Sequence, residues 1–219
     1  MYYETALRNH GLRYDPFKSC VIPRPIGWIS TLSAEGTANL APYSQFQMLT
    51  YDPPYVMFSG NQTVDGARKD TVCNVEATGE FVWNMATYDL REAVNKSAQD
   101  LPPDVDEFVV AGLNKAPARL VRPPMVAESP VHFECKHHQT LRLPGNGKMG
   151  TVDVVIGLVI AVHIADDAIT PEGRLDVLKI RPIARLGYYD YTSIDSRFEM
   201  IIPSTTDLHL AGLEGSRTV

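Results

Sequence analysis

The chain has 219 residues, a hydrophobic fraction of 44% and a formal net charge of −6. This is enough apolar material for one substantial core, and the acidic balance excludes general binding to nucleic-acid backbones, which needs clustered cations. No apolar run reaches membrane-spanning length, and three cysteines form no disulfide framework, so a reducing cytoplasm is the expected setting.

The opening segment MYYETALRNHGLRYDPF lacks the apolar centre of a signal peptide. From Val21 to Leu32 an apolar, Ile-, Trp- and Thr-containing run predicts a strand, closed by a turn at Gly36. NLAPYSQFQMLT reads as a second strand interrupted at Pro42, a position that suits an edge, a bulge or a ligand-facing loop. PYVMFSG is apolar on both faces and predicts a buried third strand, giving an antiparallel meander.

A helix is expected next, capped by Asp70, with Val72 and Val75 as its apolar stripe and Gly79 as its stop. EFVWNMA alternates Phe81, Trp83 and Met85 against Val82 and Asn84, the period of a strand. Asp89 and Glu92 resemble a capping box for a helix carrying Leu90, Ala93 and Val94. A short helix follows near Val105 to Ala111. VHFECKHHQTLRL alternates again, with Val131, Phe133, Cys135 and His137 on one face.

LPGNGKMG is a Gly-rich loop, and TVDVVIGLVIAVHIAD is a long β-branched strand whose Gly157 marks a bulge or a close backbone contact. Many strands, few helices and short turns predict a mainly β barrel. No repeat or linker divides the chain. It reads as one domain over residues 1–219, with a core at about 20–191 and a Thr/Ser-rich tail at 192–219 that wraps a partner subunit or is loosely held.

Two places carry candidate binding chemistry. The first N–H groups of the helix near Asp70 have no intrahelical partner, and the macrodipole puts partial positive charge there. Lys69 and Thr71 add an ammonium and a hydroxyl, and Ser59 lies upstream. Together they would cradle a phosphate; an ordinary capped surface helix has the same local signature. The second cluster is Arg24, Ser30, Thr31, Asn39, Tyr43 and Ser44, where Pro25 and Pro42 leave main-chain groups outside regular pairing. Such groups could bond the edge of a heterocycle, or the prolines could simply protect sheet edges.

The histidines do not have metal-site spacing. His132, Glu134 and His138 could share a face but look like a polar strand surface, and His163 reads as a satisfied core or interface histidine. Cys20, Cys73 and Cys135 lie apart with no nucleophile motif around them. GNGKMG lacks the strand–GxGxxG–helix context of a dinucleotide site. No catalytic side chain and no metal ligand is assigned.

The ordered segments IPRPIGWISTLSAEGTANLAPYSQFQML, DPPYVMFSG, KDTVCNVEATGEFVWNM, PVHFEC, VIGLVIAVHI and IRPIARLGYYDY resemble the flavin reductase-like, FMN-binding split-barrel family. The nearer branch is that of the flavoredoxins. The likeness runs from about Pro23 to Tyr191. It implies a six-stranded split β-barrel in Greek-key order with flanking helices, and a homodimer with FMN near the subunit interface. It implies that Arg24, Ser30 and Thr31, with Asn39, Ala41, Pro42, Tyr43 and Ser44, line the flavin pocket. Ser59, Gly60, Lys69, Asp70 and Thr71 match the phosphate side.

NADH or NADPH reducing the flavin, with electrons passed to an acceptor or a partner monooxygenase, is the implied activity. A non-catalytic FMN electron carrier and a flavin-free binding module are the alternatives. One departure bears on the donor. Reductase partners of aromatic monooxygenases usually carry Gly-Asp-His shortly before the strand glycine. This chain has GTVDVVIG, with Thr151 and Val152 where the Asp and His would lie.

Overall fold

The computed structural model describes residues 1–200. The part of the expected tail from residue 201 onward lies outside them. The elements, in order, are α1 (Phe17–Cys20), β1 (Arg24–Pro25), β2 (Gly27–Leu32), β3 (Ala38–Tyr43), β4 (Phe46–Tyr51), β5 (Pro54–Asn61), α2 (Asp70–Thr78), β6 (Glu80–Asn84), α3 (Arg91–Lys96) and α4 (Glu107–Ala111). They continue with β7 (Lys115–Ala116), β8 (Met125–Val126), β9 (Val131–Leu143), β10 (Val152–Ile164), α5 (Val177–Ile180), β11 (Ile183–Gly187) and β12 (Asp190–Ser193). None of the described helices is long and apolar enough to cross a membrane.

The main sheet is antiparallel throughout and has seven strands in the order β3-β2-β6-β9-β10-β5-β4. The expected count of six is therefore too low. A separate three-stranded sheet has the order β1-β11-β12. All seven main strands feed one core, which contains Ile29, Tyr43, Phe46, Phe58, Phe81, Trp83, Cys135 and Val155. The sheet is thus curled around its own inner face. A Cβ on Gly27 of β2 would lie 3.0 Å from the Phe46 Cβ of β4, so the two ends approach each other. No ladder joins edge strands β3 and β4 among the described residues, and the curl is not a closed barrel.

Three local expectations change. The run from Val21 to Leu32 is two strands in two sheets: Arg24 and Pro25 pair with β11, and Gly27–Leu32 pairs with β3 and β6. Pro25 has no N–H to continue a central ladder, so the chain changes sheets there. NLAPYSQFQMLT is also two strands, broken at Ser44 and Gln45 rather than at Pro42. Pro42 pairs opposite Trp28 on an edge strand, where a missing donor is tolerated. Finally, α3 begins at Arg91 with Leu90 before it and no side-chain cap, so the Asp89–Glu92 box does not form.

The readings of Gly79 and Gly157 hold. Gly79 ends α2 in the left-handed region at φ 73°, its N–H bonded to the Val75 carbonyl, a geometry that favours glycine. Gly157 is both things expected of it. The β9–β10 register shifts beside it, and an added Cβ would lie 2.3 Å from Phe81 Cζ.

Candidate functional site

The site is organised by what precedes α2. Arg68 donates from both terminal nitrogens to the Glu76 carboxylate, each at 2.7 Å, and from Nε to Asp153 Oδ2 at 3.0 Å. Asp153, on the core face of β10 and 2% exposed, also accepts from Arg142 Nε at 3.0 Å and Nη2 at 3.2 Å. Burial alone would raise this carboxyl, but the two guanidiniums win and hold it below the usual range. The four-residue network of Arg68, Glu76, Asp153 and Arg142 pins the chain just ahead of the helix and fixes where its first amides point.

Lys69 is the residue before the first helical turn, and Asp70 is the first helical residue. No side chain caps this end, so the cap expected from Asp70 does not form: Asp70 already lies inside the first turn, one residue past the capping position. The amides of Asp70 and Thr71 have no carbonyl of the same helix to reach. The Thr71 hydroxyl, on a residue 1% exposed, accepts from Asn39 Nδ2 at 2.9 Å. That bond ties α2 to β3, so the Thr71 side chain is spent on structure and its N–H remains the group at the helix end.

A groove runs from this helix end. Its inner part, about 110 Å³, is bordered by Asn39, Ala41, Lys69, Asp70, Thr71 and Glu107. Pro42, Tyr43, Lys69 and Asp100 lead into a wider section of about 400 Å³ that takes in Ser44, Gln45, Ser59 and Asn61. Ser44, Gln45 and Asn61 continue into a third section of about 800 Å³ bearing Arg24 and Arg185. The groove thus follows the corner where β3 gives way to β4.

Most of the residues singled out in the sequence meet there: Arg24, Asn39, Ala41, Pro42, Tyr43, Ser44, Ser59, Lys69, Asp70 and Thr71. Gly60 backs the wall, where an added Cβ would sit 3.2 Å from the Tyr43 ring and 3.8 Å from Lys69. Ser30 and Thr31 are not part of it. Both are fully buried. Ser30 Oγ donates to the Pro124 carbonyl at 2.5 Å, and Thr31 Oγ1 accepts from Asn74 Nδ2 at 3.1 Å. They alternate inside a central strand, where side chains satisfy neighbouring elements rather than solvent.

Charge in the groove is mixed. Lys69 Nζ pairs with the exposed Asp100 at 3.2 Å. Burial pushes the Asp70 and Glu107 carboxyls up, and Glu107 accepts from the Leu40 amide at 3.0 Å. Burial likewise raises the Tyr43 phenol, which stays protonated. Among the described residues that border the groove, none is set up as a nucleophile–base pair.

The histidine strand departs from its sequence reading. Glu134 and His132 are buried, not part of a solvated face. Glu134 accepts from the amides of Arg119, Leu120 and Val121 at 2.6–2.9 Å and from His163 Nε2 at 2.5 Å. It clamps the loop between β7 and β8. His132 Nδ1 lies 2.9 Å from Asn84 Oδ1, which also accepts from the Val126 amide at 2.8 Å. The backbone donor fixes that oxygen as an acceptor, so the His132 proton sits on Nδ1. No cluster of three or more potential metal ligands occurs among the described residues.

Arg68 and Asp153, which hold the start of α2, and Arg185, which borders the outer section of the groove, are not among the residues that the sequence singles out. Asp153 carried a signal: an acid at a core phase of an alternating strand implies a buried cation partner. Arg185 carried none, because its importance comes from a strand more than a hundred residues away in sequence.

The family described as "Flavin reductase like domain" matches residues 19–191. Among solved structures, nitrilotriacetate monooxygenase component B from Bacillus cereus is 28% identical, with a TM-score of 0.83 over 91% of this chain and 98% of that one. A 2-nitrobenzoate 2-nitroreductase from Pseudomonas fluorescens is 25% identical, with a TM-score of 0.79 over 94% and 98%. A flavoredoxin of Desulfovibrio vulgaris (Miyazaki F), 16% identical, shares the fold with a TM-score of 0.71 over 90% and 97%.

Proposed function

The chain belongs to the flavin reductase-like domain family, and from that premise we propose that it is an FMN-binding oxidoreductase whose flavin lies in the groove between α2 and the β3–β4 corner. The observation that carries this is the continuity of the groove: one channel joins the amide-rich start of α2 to the proline-shaped Pro42–Ser44 segment.

The donor set fits such a ligand. Lys69 and the amides of Asp70 and Thr71 suit an oxyanion, with Ser59 on the facing strand. Edge strand β3 has a partner on one side only, so Ala41–Ser44 can offer main-chain groups to a heterocycle. Gly60 keeps the wall thin behind Tyr43. When bound, FMN supplies hydride or single-electron transfer. This chain's residues bind and orient it. Lys69 and the helix amides would hold the charged tail, and buried Tyr43 with half-buried Pro42 would form the rigid wall along the ring. An acid–base side chain is not required for hydride transfer.

NADH or NADPH is the proposed reductant, and a partner monooxygenase is one candidate acceptor, by likeness to the Bacillus cereus component B. A homodimer is proposed as well. Exposed Met48, Leu49 and Tyr51 on edge strand β4 offer it apolar surface. Three free cysteines suit a reducing compartment.

The test is reconstitution with FMN followed by anaerobic stopped-flow mixing with NADH and with NADPH. A yellow protein bleached at a catalytic rate supports the oxidoreductase. Retained colour without bleaching assigns an electron carrier, and failure to bind flavin overturns the reading.

A further inference from the structure

The outer section of the groove, beyond Ser44 and Gln45, carries an arrangement of charge that the flavin placement proposed above, between α2 and the β3–β4 corner, does not use, although the family likeness had put Arg24 at the flavin. Arg24 of β1 and Arg185 of β11 are direct cross-strand partners. Like charges facing each other across an antiparallel pair destabilise it. Neither guanidinium lies within ion-pair distance of a carboxylate among the described residues. The guanidiniums of Arg68, Arg91, Arg122, Arg142, Arg174 and Arg181 each do; other arginines of the described residues also have no such partner, and what sets Arg24 and Arg185 apart is that they face each other across one strand pair at a cavity.

Arg24 donates to the carbonyls of Lys18 and Val21, and Arg185 to that of Tyr188. Arg185 also lies over the Tyr191 ring, 4.5 Å from its centroid. These bonds hold both side chains in place without neutralising them. Arg24 Nε is buried with no hydrogen-bond partner among the described residues. Both arginines border the 800 Å³ section, whose other charged groups are Lys18, Asp15 and Asp190. In a chain of net charge −6, an unpaired, strand-fixed cation pair facing a cavity is a recognition feature.

We propose that Arg24 and Arg185 form an oxyanion clamp for the second reactant: the carboxylate or phosphate of the molecule that exchanges electrons with the flavin. The clamp lies at the end of the groove remote from Lys69. A ligand anchored there by its anionic group extends past Ser44 and Gln45 toward the section proposed for the ring. This rests on the flavin reading for the identity of the ring, but the clamp itself is defined by the arginines.

The experiment is calorimetric titration of the FMN-loaded protein, and of the flavin-free protein, with benzoate, NAD⁺ and NADP⁺ as probes. Wild type, Arg185→Gln and Arg185→Lys are compared, with thermal melts as folding controls. In wild type at least one probe binds, more weakly as salt rises. Benzoate binding identifies a carboxylate source. Preference for NADP⁺ over NAD⁺ identifies a phosphate source. Arg185→Gln weakens that probe at least tenfold, Arg185→Lys recovers part of the loss, and FMN affinity stays within twofold. Unchanged probe affinity in folded Arg185→Gln, or no probe binding in wild type, overturns the clamp. Loss of FMN binding in wild type would instead overturn the flavin reading, and the flavin-free titrations still decide the clamp.

Discussion

Lys69 and Asp100 form an ion pair of 3.2 Å across the groove, between a lysine 37% exposed and an aspartate 73% exposed. The pair occupies the one ammonium at the start of α2. An incoming anion must compete with Asp100 for it, so the exposed carboxylate sets the availability of the site.

Asp100→Asn should therefore tighten FMN binding. Exposed pairs of this kind contribute about 0–1 kcal/mol, which translates to at most about a fivefold gain. Lys69→Ala should act in the opposite direction and more strongly. Hydrogen bonds to charged groups contribute about 1.5–3 kcal/mol, so a loss of about tenfold or more is expected. Flavin fluorescence quenching measures both. Equal affinity in all three proteins would remove Lys69 from the site.

Asp153→Ala should destabilise the fold as well as the site. It leaves Arg68 and Arg142 without their shared, buried carboxylate. Breaking a buried pair by removing one partner costs about 3–5 kcal/mol, and the half-exposed arginines place this case at about 3 kcal/mol or below. Urea unfolding reads the loss. Amide exchange should rise first at the start of α2, because Arg68 is what holds it.

Acid should weaken the fold in a defined window. Burial lowers the His132 imidazole from its ordinary 6.5 to about 4. Below pH 6.5 the unfolded chain takes up a proton that the folded chain refuses, so stability is fully present above 6.5 and falls as pH drops toward 4. Denaturation midpoints at pH 7.5, 6.5, 5.5 and 5.0 should decline in wild type. They should decline less in His132→Gln. A wild-type curve flat from 7.5 to 5.0 would contradict the buried, neutral assignment.

Gly157→Ala should cost about 1–3 kcal/mol, the usual range for forcing an extra carbon into a packed core. Its Cβ would lie 2.3 Å from Phe81 Cζ. Adding Phe81→Leu to that background should recover part of the loss, a coupling that a double-mutant cycle isolates. Additive effects would mean that Phe81 is not the obstacle.

Much of the fold was legible because local rules and tertiary context agreed. Phe81 and Trp83 alternate against Val82 in the sequence, and they enter different core clusters in the structure. Gly79 was readable as a stop, since a left-handed residue there favours glycine. Pro42 lies on an edge strand, one of the positions expected for it, but does not interrupt β3, because a proline breaks a central strand and not the outer side of an edge strand. The Asp89–Glu92 pattern does not become a cap, because such a pattern is only permission: the chain enters α3 one residue later, with Leu90 in the capping position.

The site was legible in outline only. The helix start at Lys69–Thr71 and the Asn39–Ser44 segment could be named from residue types and family likeness. Ser30 and Thr31 look equally polar in the sequence, yet the sheet turns them inward to Pro124 and Asn74. The amino-acid sequence alone determined the strand-rich class, the breaks between elements and the family, because these depend on periodicity and on residues near one another in the chain. The fold decided that Asp153 anchors Arg68, that Arg24 faces Arg185 and that the groove runs past both. Those relations join residues 85 or more positions apart, and a contact across such a distance exists only once the sheet has curled.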